Sequence, residues 1–338
     1  MIRGYDMKKI TLILLIIALL FTNMITSYSY AAINTTEISS VEEAKINQLK
    51  VLTVKIINIL NNMLDTRYVP SEKAIKILSV GNSFSQDSVY YLYEIAKSAD
   101  VNIIVGNLYN SGCSLERHLK YATSDEKAYT YYKWNSKGMK EYKNKTMKDA
   151  ILDEDWDYIT LQQASGESGI YDTFQPHLDE LIDYIKKIST NTDLKLAFNM
   201  TWAYASKSPN NNFSYYKKNQ ITMYNSIVAA YKQVSDETGI DIIIPCGTAI
   251  QNARNNKYLK TSANELTSDG YHLSYGLGRY IAGLTFFQTI VVDNEKIDIN
   301  LSKDITFFPD TKDCTEELAS LAKKAAMNAV KKPFEITK

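Results

Sequence analysis

The sequence is poor in cysteine, in histidine and in net charge, and each shortage excludes something. Only three cysteines occur in 338 residues. They are Cys113, Cys246 and Cys314, an odd set that cannot pair completely and whose spacing matches no zinc pattern. A chain of this length can rely on a hydrophobic core instead of disulfides, so all three are expected to be free, buried thiols. Lys plus Arg and Asp plus Glu each total 38, giving zero net charge. With no basic block either, nothing favours a nucleic-acid partner or an acidic membrane surface. No internal repeat or low-complexity tract interrupts the chain. A content of 45% hydrophobic and 22% charged residues is that of a globular protein, not a disordered one.

Tyrosine is abundant instead, at 25 residues. Its flat ring and hydroxyl suit sugar binding, but packing is the commoner use. At the N-terminus, Lys8 and Lys9 precede an uncharged apolar run over 10–21, and Ser29-Tyr30-Ala31 supplies small residues for cleavage. This is the pattern of a secretory signal peptide over 1–31, so the protein is expected to be exported. The run is too short for a comfortable membrane span, and no cysteine follows it to carry a lipid. Retention of this segment as an anchor is the alternative, and membrane association is expected only then. Over 32–70 comes a helical spacer. Leu49, Leu52, Ile56, Ile59 and Met63 recur at spacings of three and four and predict an amphipathic helix over 41–64, before Pro70. It could pack on the domain, hold it off the cell surface or dimerise; oligomeric state does not follow.

The remainder, 71–338, reads as one α/β domain. Apolar strands at 75–80, 101–108, 158–162, 194–200 and 241–245 alternate with helices at 87–99, 114–121, 147–152, 176–188 and 216–238. Further helices are expected at 275–291 and 315–330, and a hairpin at 129–142. Strands alternating with helices predict a parallel sheet covered on both faces.

Active sites in such folds gather at the carboxyl ends of strands. After the first strand stands Gly81-Asn82-Ser83-Phe84-Ser85. The glycine permits a sharp turn and a helix follows, which would lift Ser83 from the sheet as an acyl-transfer nucleophile. A serine here is more often a helix cap, but Ser85 can serve as cap and leave Ser83 free. After the second strand, Asn110-Ser111-Gly112-Cys113-Ser114 offers the Gly112 N–H. After the third, Leu161-Gln162-Gln163-Ala164-Ser165-Gly166 offers a glutamine amide. Both are candidate oxyanion donors, although a polar network tying loops together is the plainer reading. Among three histidines, His272 follows the last strand and precedes a long helix, and Asp269, three residues earlier, can reach its ring.

These blocks resemble those of the SGNH (GDSL-like) hydrolase superfamily, in a poorly characterised bacterial branch. Gly81-Asn82-Ser83-Phe84 resembles the first block, with Asn82 where Asp is usual. Gly112 matches the second, and Asp269-Gly270-Tyr271-His272 the last. The resemblance runs in order from residue 74 to about 291. The third-block Gly-x-Asn-Asp is missing, so Gln163 or Gln162 would take the asparagine's part. The resemblance implies a three-layer sandwich on a five-stranded flavodoxin-like parallel sheet. It also implies a Ser83–His272–Asp269 triad, an oxyanion hole of Ser83, Gly112 and a glutamine, and no metal or organic cofactor.

The expected substrate is an ester bearing a short acyl group, such as an acetylated polysaccharide. Asn82 and Trp202, which follows the fourth strand, are candidate substrate contacts, and Trp134 and Tyr204 could add aromatic faces. Two competing readings stay open. One is a carbohydrate-binding or surface protein without catalysis. The other is thiol chemistry by Cys113 with His118.

Overall fold

The computed structural model describes residues 74–259 and 265–337. The expected signal peptide and the 41–64 helix lie outside the described residues.

Five short, nearly all-buried strands form the centre: β1 (Ile75–Gly81), β2 (Ile103–Tyr109), β5 (Tyr158–Leu161), β6 (Lys195–Asn199) and β7 (Ile243–Ile244). They pair in parallel in the order β2-β1-β5-β6-β7. Continuous apolar strands such as Ile75-Lys76-Ile77-Leu78-Ser79-Val80 suit a sheet covered on both faces, and helices supply that cover. This is the flavodoxin-like order expected. The expected hairpin at 129–142 is β3 (Tyr129–Asn135) with β4 (Gly138–Lys145). It does not stand apart. β3 pairs antiparallel with β2, so the sheet has seven strands and β4 forms its edge.

The helix expected over 87–99 is two helices, α1 (Ser83–Val89) and α2 (Leu92–Ser98). Tyr90 and Tyr91 lie at the break. The other helices are α3 (Leu115–Thr123), α4 (Met147–Ile151), α5 (His177–Ile188), α6 (Gln220–Thr238), α7 (Cys246–Asn255), α8 (Leu277–Phe287), α9 (Leu301–Asp304) and α10 (Glu316–Lys331). Several begin at the sequence's own caps: Ser114, Thr146, Asn219 and Thr315 each accept a first-turn N–H. Helix α8 is buried along its whole length and mostly apolar, with Arg279 as its one charged residue, a central element and not a surface one. The described cysteines are free and buried, as expected.

Candidate active site

The turn from β1 into α1 is built by Asn82. Its Oδ1 accepts the Phe84 N–H at 3.0 Å, and its Nδ2 donates to Cys113 O at 3.0 Å. Asn82, not Ser85, is therefore the cap. Ser85 lies inside the helix and donates to Asn82 O, with Asn107 Oδ1 also 2.8 Å from its hydroxyl. Gly81 has to be glycine, because a Cβ there would sit 2.7 Å from Ser85 Oγ. Ser83 is the first residue of α1, half-buried, and its N–H belongs to the first turn, where no intrahelical acceptor exists.

A loop between α7 and α8 brings histidine to this serine. His272 Nε2 lies 2.8 Å from Ser83 Oγ, and His272 Nδ1 lies 2.7 Å from Asp269 Oδ2. Asp269 also braces the loop itself, since its Oδ1 accepts the N–H groups of Tyr271 at 3.0 Å and His272 at 2.8 Å. Burial pushes the Asp269 carboxyl up, but the hydrogen bonds from His272 and Tyr271 outweigh it and hold the group below the usual carboxylate range. A carboxylate that stays ionised fixes the ring's tautomer and faces any imidazolium that forms. The loop closes on itself through Ser268 N–H to His272 O and Ser274 N–H to Leu266 O, at 2.9 and 2.8 Å.

A second carboxylate, not singled out in the sequence, ties this loop to the serine's helix. Asp87 stands one turn after Ser83 on α1, and its Oδ2 accepts the Leu273 N–H at 2.8 Å. Its Oδ1 pairs with Arg279 Nη2 at 2.8 Å. The Arg279 guanidinium lies 4.4 Å from the Tyr90 ring centre and 3.8 Å from that of Tyr275. Burial is the largest influence on Asp87. Although Arg279 and the Leu273 N–H act the other way, its pKa is pushed up to about 6. The one signal for Asp87 in the sequence was its i,i+4 spacing from Ser83, which puts both on one side of a helix.

Gly112 adopts φ +57°, a left-handed conformation in which glycine carries no Cβ penalty. It is exposed, and among the described residues its N–H meets no protein acceptor. The bond from Asn82 to Cys113 O fastens this loop to the serine turn.

The glutamines do not take the expected part. Gln163 was expected to aim its amide beside Ser83. Instead its Nε2 donates to Thr173 O at 2.8 Å, and its Oε1 accepts from Leu115 N and Ala164 N at 3.0 and 2.7 Å. It is a buried clamp between loops. Gln162 is engaged in a buried amide chain, donating to Asn82 Oδ1 at 3.1 Å and accepting from Asn199 Nδ2 at 2.7 Å. The reason is burial: both side chains are at most 1% exposed, so their polar atoms must find protein partners.

The expected substrate contacts need correction too. Asn82 is buried and its amide is engaged by Phe84, Cys113 and Gln162, so it shapes the turn instead of facing substrate. Trp202 is fully buried. Its ring stacks on Phe84 at 4.3 Å and 11°, and its Nε1 donates to Tyr271 O at 2.7 Å. Tyr204 is likewise buried, whereas Trp134 is half-buried on β3. For the thiol alternative, burial pushes Cys113 up to about 12 and His118 down to about 3, and His118 Nδ1 meets the Tyr129 hydroxyl. A thiol held neutral is a poor nucleophile.

A parallel core in this strand order, with the serine turn after its first strand and the histidine loop ahead of a long buried helix, defines an α/β protein of flavodoxin-like topology, the architecture that the SGNH resemblance implies. The chain belongs to the family described as a domain of unknown function, DUF4886, whose model matches residues 76–329. A DUF4886 family protein from Bacteroides uniformis ATCC 8492 is 38% identical, with a TM-score of 0.72 covering 78% of this chain and 98% of that one. A catalytic mutant of an acetylxylan esterase from Geobacillus stearothermophilus is 14% identical, with a TM-score of 0.43 covering 66% of this chain and 97% of that one. Among curated proteins none matches the sequence.

Proposed function

We propose that the chain is an exported serine esterase that removes short acyl groups, with Ser83 as nucleophile, His272 as base and Asp269 as its orienting carboxylate. The observation that carries this reading is the unbroken relay of short hydrogen bonds, Ser83 Oγ to His272 Nε2 at 2.8 Å and His272 Nδ1 to Asp269 Oδ2 at 2.7 Å.

Ser83 Oγ attacks the ester carbonyl while His272 Nε2 takes its proton. The carbonyl oxygen becomes an oxyanion, for which the N–H groups of Ser83 and Gly112 are the donors. As the tetrahedral intermediate collapses, the C–O bond to the alcohol breaks and His272 returns the proton to the leaving oxygen. Water then attacks the acyl-serine, His272 takes its proton and passes it back to Ser83, and the acid departs. Every proton moves between Ser83, His272, the alcohol and water, so the route calls for no metal or organic cofactor.

Turnover of p-nitrophenyl acetate tests the reading. Wild type should hydrolyse it, a serine-directed phosphonate should label Ser83 and stop it, and Ser83→Ala should lose both. A protein that neither turns over the ester nor takes the label at Ser83 is not this enzyme. Export is tested separately: protein recovered from culture medium should begin after Ala31.

A further inference from the structure

Helix α1 exposes one edge. Ser83, Gln86 and the capping Tyr90 are half-buried, while Phe84, Ser85, Asp87, Ser88 and Val89 are buried. Spacings of three and four place the nucleophile, an amide and a ring in one row. Rings border that row on both flanks. On one side Tyr109, opposite Gly81 in the β1–β2 register, lies 6.2 Å from Tyr132, and Tyr132 lies 6.2 Å from Trp134. Tyr132 meets the Gln86 side chain directly. The register puts these rings on the α1 side of the sheet: Tyr132 is opposite Asn107 and Trp134 opposite Val105, and Asn107 itself bonds Ser85. On the other side Tyr90 meets the exposed Tyr275 edge-on at 5.9 Å, with Arg279 against both rings.

From this row we infer that the esterase carries a glycan-binding band across α1, on which a neutral polysaccharide lays sugar rings over Tyr109, Tyr132 and Trp134 and brings an acyl group to Ser83. The inference rests on the serine-esterase reading and names its substrate class. A sugar ring has an apolar C–H face and a rim of hydroxyls. An aromatic face matches the first, and the tyrosine hydroxyls and the Gln86 amide match the second. The other polymers fit less well. A long acyl chain needs enclosed apolar volume, whereas Ser83, Gln86 and Tyr90 stand on a half-exposed edge of α1. An extended peptide would add to the free edge of β4 instead of lying on the sheet face. With zero net charge over the chain, no overall field favours a polyanion.

Binding is separated from chemistry by working in Ser83→Ala. The probes are soluble acetylated xylan and acetylated glucomannan, each cast into a native gel. At least one should retard the protein. Adding Trp134→Ala or Tyr132→Ala should weaken that retardation about tenfold, the effect of losing one stacked ring. Trp134→Phe and Tyr132→Phe should restore most of it, which separates loss of the ring from loss of fold. In the active enzyme the same alanine changes should lower kcat/KM on the retarding polymer relative to p-nitrophenyl acetate by a similar factor. Retardation by none of the probes, or equal retardation with and without the rings, overturns the band. Turnover of p-nitrophenyl acetate without polymer binding sinks the band and spares the serine chemistry. Ring-dependent retardation without turnover does the reverse.

Discussion

Asp87 Oδ2 holds the Leu273 N–H at 2.8 Å, from the same helix and one turn away from the serine that meets His272. Two neighbouring loop residues, His272 and Leu273, are thus pinned by two residues of α1. The histidine loop cannot drift from the nucleophile without breaking a buried, charge-assisted hydrogen bond.

This link predicts a particular pH response. Burial raises the Asp87 pKa to about 6, so the carboxylate that pairs with Arg279 predominates above that pH and is lost below it. The ionised form of Asp87 is therefore lost as pH falls through about 6, and this loss should steepen the acid limb of kcat/KM. Asp269 stays ionised across this window, since its carboxyl lies below the usual range. Asp87→Asn keeps the shape and an oxygen for the Leu273 N–H but removes the titration. It should lower kcat roughly tenfold and make the acid limb shallower. An unchanged slope in the variant would show that Asp87 only fills space.

Asp269→Asn should leave the backbone bonds of the loop largely in place while spoiling the ring's orientation. The expected loss is about 10³-fold in kcat, with little change in KM. A loss confined to KM would place Asp269 in substrate binding.

The two glutamines should behave as structural residues. Gln163→Ala strands the N–H groups of Leu115 and Ala164 and should cost about 1–3 kcal/mol in stability by thermal unfolding. The surviving folded fraction should turn over with nearly native kcat. A deep loss of kcat with unchanged stability would restore a glutamine to the oxyanion hole.

Acyl chain length supplies the fourth test. The nucleophile stands on an open edge of α1, so methylene groups beyond acetate stay in water and forgo about 0.8 kcal/mol each. A series from p-nitrophenyl acetate to the dodecanoate should give kcat/KM that is flat or falling. A steady rise would mean that a long chain is buried.

Much of this was legible in the sequence because it is local. Short apolar runs broken by Gly81-Asn82-Ser83 and by Asp269-Gly270-Tyr271-His272 carry their turns with them, and their order along a parallel sheet sets which ends converge. What escaped depends on residues distant in the chain. Asp87 gains its part from Leu273 and Arg279, nearly two hundred positions on, and no period or spacing encodes that meeting. Place after a strand end was a poor guide to side-chain direction. Gln163 and Trp202 both follow strands, yet one turns to Thr173 and the other beneath Phe84. The hairpin at 129–142 was visible as a Tyr/Lys-rich stretch around Lys137-Gly138, but its joining of the sheet through β2 was not.

The stacking of Trp202 under Phe84 gives the protein an optical reporter at its own site. The indole touches the nucleophile's neighbour on one side and donates to Tyr271, the histidine's neighbour, on the other. Its emission is therefore expected to respond when those two chain segments move apart. Trp134 and Trp156 are the remaining indoles, so replacing both with Phe would leave a single indole. That chromophore would register acylation of Ser83, or a loosened histidine loop, as a shift in wavelength with no label added.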